Sequence, residues 1–92
     1  MANHNLDAFY VLSLEFEGGG QDTLCRDEEE LRNVSREFRT YARKNHIRGH
    51  LITHKYFKVY YDESIFDNNG SEFFDNYFDA EKNVVSEECL FY

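Results

Sequence analysis

From Ala8 to Phe16 the chain sets Ala8, Tyr10, Leu12, Leu14 and Phe16 on one side and Phe9, Val11, Ser13 and Glu15 on the other, the period of a half-buried strand. Gly18, Gly19 and Gly20 interrupt that pattern and read as a flexible turn. No Lys-Ser or Lys-Thr pair follows at the spacing of a phosphate-binding loop. Asp27 stands three residues before Glu30, the spacing of a capping box, and Glu28, Glu29 and Glu30 crowd a first turn where the helix dipole favours anions. The pattern predicts a helix from there to about Asn45, with Leu31, Val34, Phe38, Tyr41 and Ala42 in one stripe and Arg32, Arg36, Arg39 and Arg43 in another.

Between Ile47 and Tyr61 the residues turn β-branched and aromatic, and Leu51, Thr53, Lys55, Phe57, Val59 and Tyr61 alternate with Ile52, His54, Tyr56, Lys58 and Tyr60. This predicts a long strand. Asn68, Asn69 and Gly70 mark a turn, after which Ser71 is placed to cap a short helix from Glu72 to about Ala80. Its wheel puts Phe73, Phe74, Tyr77, Phe78 and Ala80 on one side and Glu72, Asp75 and Asp79 on the other. Val84 to Tyr92 reads as a last strand interrupted by Glu87 and Glu88. The expected fold is α+β, a small, mainly antiparallel sheet with two helices in the order β-α-β-α-β, forming a single domain over residues 1–92.

Charge is segregated along the chain. Residues 1–25 carry four acids and no base, residues 26–60 carry nine bases and five acids, and residues 61–92 carry nine acids against Lys82 alone. That last third also holds eight aromatic residues, too many for an acidic disordered tail. Like charges at this density repel, so a folded segment that keeps them either solubilises the protein or presents a negative field to a partner. No apolar run approaches the roughly 18 residues of a membrane span, and Met1 to Asp7 has neither the basic start nor the apolar stretch of a secretion signal. A cytoplasmic setting is expected, with Cys25 and Cys89 as free buried thiols.

Catalytic chemistry finds little support in these patterns. His46, His50 and His54 recur every fourth residue, a zinc-ligand spacing on a helix, but Gly49 and the β-rich run after it place at least His50 and His54 on a strand. Ser13, Ser35, Ser64, Ser71 and Ser86 lack a nucleophile elbow, and neither cysteine has an activating context. A Glu-x-Lys nuclease signature is absent, and no metal or cofactor is expected. A metal-dependent hydrolase stands as the rival chemical class. The arginine stripe and Lys55 to Tyr61 faintly resemble nucleic-acid-binding elements, but a net charge of -8 repels DNA and RNA. The guanidiniums have partners within reach: Glu28 and Glu29 for Arg32, and the acidic last third of this chain or of a second subunit for the others.

With the sign reversed, the same arithmetic suggests mimicry. DNA carries one negative charge per roughly 1.7 Å of axis, and carboxylates a few ångströms apart fit the basic groove of a DNA-binding protein. Glu72, Asp75 and Asp79 would be separated by about 4.5 and 6 Å along a helix axis, and Glu15 and Glu17 by about 7 Å on a strand. The expected phosphate-mimicking set is Glu15, Glu17, Asp62, Glu63, Asp67, Glu72, Asp75, Asp79, Glu81, Glu87 and Glu88. The rival interaction class is an acidic adaptor docking through aromatic residues such as Phe73, Phe74 and Phe78.

The opening Met1-Ala2-Asn3-His4-Asn5, the helix start Cys25-Arg26-Asp27-Glu28-Glu29-Glu30 and the acidic aromatic tail, in a proline-free chain of 92 residues, resemble the Arn family of T-even bacteriophage anti-restriction proteins. The resemblance implies a non-enzymatic inhibitor in the cytoplasm of an infected bacterium that shields phage DNA from the McrBC nuclease. It further implies a homodimer whose joined acidic surfaces imitate a duplex, and binding to the nucleoid protein H-NS. No direct nucleic-acid or membrane contact is expected.

Overall fold

A computed structural model describes residues 7–91. Its elements are β1 (Ala8–Phe16), β2 (Gly19–Cys25), α1 (Glu28–Lys44), β3 (Arg48–Phe57), α2 (Ser71–Phe73) and β4 (Val84–Phe91). Between β3 and α2 run two 3-10 segments, Lys58–Tyr60 and Glu63–Gly70, and a π-helical turn, Phe74–Phe78, continues α2. The four strands form one antiparallel sheet in the order β2-β1-β3-β4. The architecture is α+β as expected, with one strand more than the sequence pattern indicated.

That extra strand is β2. Only Glu17 and Gly18 form the turn, and Gly18 takes the positive φ of +90° that such a reversal requires. Gly19 and Gly20 already pair with Phe16 and Glu15. As a sheet edge, β2 buries Leu24 and Cys25 and leaves Gly19 to Asp22 exposed.

The register divides β1 into two apolar faces. Tyr10, Leu12 and Leu14 join Cys25, Leu51 and Leu90 beneath Phe38 and Ala42 of α1. Phe9 and Val11 join Leu24 and Tyr56 beneath Ile65, Phe73 and Phe78 on the other side. The molecule is thus three layers: α1, the sheet, and the short helical segments of residues 58–78. Phe9 centres the second core, with the rings of Tyr56, Tyr61, Phe66 and Phe73 all 5.3 to 5.4 Å from its own. Tyr56 stacks on Phe9 and the other three meet it edge to face, and aromatic pairs of either kind add about 0.5–1.5 kcal/mol each beyond their buried area.

Helix α1 follows the sequence closely. The Asp27 side chain accepts from the Glu30 backbone N–H at 2.8 Å, and the helix ends at Asn45, whose N–H donates to the Tyr41 carbonyl. Tyr41, placed in the apolar stripe, is half-exposed at 50%, and Phe38 and Ala42 are the α1 residues that fill the core.

Three other expectations need correction. The third strand stops at Phe57 instead of Tyr61, since Lys58 to Tyr60 turn into a 3-10 helix after Lys58 N–H bonds to the Asp7 carbonyl. Ser71 does not cap the second helix; it is the first helical residue, and Gly70 precedes it with φ +83°. The helix itself is α-helical only to Phe73, and the wider turn that follows accommodates three bulky rings, Phe74, Tyr77 and Phe78, against the sheet. The last strand ends at Phe91, and Tyr92 lies outside the described residues.

Candidate functional site

Side-chain parity follows from the strand register. Asp22, Ser13, Ile52 and Glu87 form one row across the sheet, and Gly20, Glu15, His50 and Cys89 the next, all on the face opposite α1. The helical layer covers the other end of this face, so Glu15, Asp22, His50, Glu87 and Cys89 remain exposed. At about 4.8 Å between strands and 3.4 Å per residue, Glu15 lies about 8 Å from Asp22 and about 12 Å from Glu87.

The helical layer on the same side carries Asp62, Glu63, Asp67, Glu72, Asp75, Asp79 and Glu81. All are exposed except Glu72, which is half-buried and accepts from the Ser64 hydroxyl at 3.4 Å. Glu81 accepts from the Tyr61 hydroxyl at 2.5 Å, and burial together with that carboxylate pushes the Tyr61 phenol up. Of the eleven carboxylates expected to act together, nine therefore belong to one side of the sheet. Glu17 stands in the β1–β2 turn. Glu88 faces the other way: it pairs with Leu51 on the α1 side and accepts from Arg39 of α1, with Nη2 to Oε1 at 2.6 Å. The Arg39 hydrogen bond holds its carboxyl below the usual range, so its charge is spent within the chain.

Asp22 belongs to the acidic side and was missed, because its position depends on recognising β2. The Ser13 hydroxyl, only 1% exposed, donates to Asp22 at 2.5 Å and stands 3.4 Å from Nε2 of His54. Cations on this side lie over aromatic rings: Arg26 over Phe66 at 5.3 Å, Arg48 over Phe91 at 5.6 Å and Lys82 over Phe78 at 5.2 Å.

Two constellations resemble catalytic ones and are built differently. In the first, Ser13 gives its proton to Asp22, not to His54, and is sealed from solvent. In the second, Glu87 at 3.3 Å and Cys89 at 3.6 Å both meet Nδ1 of His50, whereas a nucleophile–base–orienter relay uses the two ring nitrogens separately. Cys89 is exposed, contrary to expectation, since β4 is the uncovered sheet edge; Cys25 is fully buried and its thiol is pushed up to about 12 by desolvation and by Glu30 and Asp27. His46 lies in the turn after α1 with φ +53°. Among the described residues no three His, Cys, Asp or Glu side chains are grouped as metal ligands, and no helix is long and apolar enough to cross a membrane.

Two of the three aromatic residues named for docking are withdrawn from the surface. Phe73 and Phe78 are buried in the second core and Phe74 is half-buried against it. The exposed large apolar side chains are instead Tyr41, Val59, Tyr60, Val84, Val85 and Phe91. No protein family, no curated protein and no solved structure matches this chain.

Proposed function

We propose that the protein is a DNA mimic that occupies the DNA-binding site of a partner protein and inhibits it without catalysis. The observation that carries this reading is the gathering of ten carboxylates, Asp22 included, on one side of the sheet while the arginines of α1 lie on the other. Carboxylates in place of phosphates meet the Lys and Arg side chains of a DNA site, release its counterions and exclude DNA. The resemblance to the Arn family supplies the target class: a McrBC-type restriction nuclease in the cytoplasm of an infected bacterium, with H-NS as a second target.

Dimerisation enters the same proposal. Strand β4 is an exposed sheet edge carrying Val84, Val85 and the 71% exposed Phe91. Antiparallel pairing of two such edges about a two-fold axis perpendicular to the sheet keeps both acidic faces on one side and doubles the row of charges. The test is a competition titration on labelled DNA at two salt concentrations. Displacement that fades as salt rises supports mimicry, and absence of displacement at low salt refutes it.

A further inference from the structure

On the side of α1 away from the acidic face, Arg32, Arg36, Arg39 and Arg43 line a concavity of about 460 Å³ together with Ser35 of the helix and Thr53 of β3. No carboxylate is among its lining residues. Arg32 and Arg36, both exposed, bring two guanidiniums to one groove, a local density of positive charge that favours an anionic occupant. One carboxylate of the chain already uses the rim: Glu88 takes two hydrogen bonds from Arg39, at 2.6 and 3.3 Å. We propose that this groove is a binding site for a compact oligophosphate, with Arg32 and Arg36 as its principal ligands and Glu88 as a competing internal anion.

The size and spacing of the groove select the ligand class. Its volume lies in the range of about 300–1,000 Å³ typical of small-molecule sites. Along the helix axis the arginines follow one another at about 6, 4.5 and 6 Å, so adjacent guanidinium forks share a chain of linked phosphates. The Ser35 and Thr53 hydroxyls add donors between them. No aromatic ring lines the groove, so a base has nothing to stack on and the phosphate chain alone is recognised. A long nucleic acid would carry its remaining phosphates out of the groove into the field of the acidic side, which a short oligophosphate avoids.

The test is calorimetric titration of the full chain with inorganic triphosphate, ATP and a short polyglutamate peptide at low salt. Triphosphate and ATP are expected to bind alike, Arg32→Ala/Arg36→Ala to weaken both by at least about tenfold, and Glu88→Gln to tighten both. Arg32 and Arg36 are exposed, and an unchanged melting temperature of the double variant certifies its fold. Absence of triphosphate binding, or binding that the double variant leaves unchanged, overturns the proposal. Tighter binding of the peptide than of triphosphate also overturns it and assigns the groove to an acidic polypeptide.

Discussion

Ser13 and His54 meet at 3.4 Å on the face of the sheet opposite α1, both almost fully buried, with the Ser13 proton committed to Asp22 at 2.5 Å. Ser13 therefore accepts from the His54 Nε2–H, which fixes that tautomer and leaves Nδ1 buried without a hydrogen-bond partner. Ser13→Ala strips the last partner from the His54 ring. The expected loss is about 1–3 kcal/mol of unfolding free energy, read from urea denaturation at pH 7.5.

The same burial makes stability depend on pH. Desolvation, reinforced by Lys82, lowers the His54 pKa from 6.5, so the unfolded chain binds a proton more readily than the folded one. Stability from this group is complete above about pH 6.5 and falls as pH drops below it, by at most about 1.4 kcal/mol per pH unit. Urea midpoints at pH 7.5 and 5.5 should separate more for the wild type than for His54→Leu, whose side chain also packs on Phe78. Equal separations would remove His54 as the cause.

Gly49 lies opposite Phe16 in the β1–β3 ladder, and a Cβ there would stand 2.1 Å from the Glu15 carbonyl oxygen. Gly49→Ala must push the two central strands apart at the end that carries Glu15 and His50. A cost of about 1–3 kcal/mol is expected in thermal or chemical unfolding.

The two thiols should differ in reactivity. Cys89 is exposed on β4, whereas Cys25 is sealed in the core under α1 with its thiol pushed up to about 12. A thiol-reactive disulfide reagent at pH 8 should label one thiol of the native protein quickly and the second only on unfolding. Cys89→Ser should abolish the fast phase and leave the slow one.

Some of this organisation was readable from residue order and some was not. Helix α1 was legible because its signals are local: the Asp27 cap, the acidic first turn and the stripe closing on Phe38 and Ala42. Strand β1 was legible from its period-2 pattern between Ala8 and Phe16, but it is buried on both faces and not half-buried, since the helical layer that covers Phe9 and Val11 is a tertiary contact. Strand β2 was hidden because an edge strand reading Gly-Gly-Gln-Asp-Thr needs no apolar alternation, and with it went the placement of Asp22 beside Ser13. The π turn at Phe74–Phe78 was hidden because its rings pack on tertiary partners, Phe74, Tyr77 and Phe78 on Phe73 and Phe78 also on His54. The pairing of Glu88 with Arg39 depends on which face of β4 turns to α1, which composition does not encode.

In the proposed mimicry, position on the acidic side, and not net charge, produces inhibition. Asp75→Lys/Asp79→Lys reverses two exposed charges on the helical layer, and Glu29→Lys/Glu37→Lys reverses two exposed charges on α1, so both variants change the net charge equally. The decisive measurement is the concentration of each variant that displaces labelled DNA from a McrBC-type nuclease at low salt. Mimicry predicts a loss of at least about tenfold for the first variant and near-wild-type displacement for the second; equal loss in both overturns it.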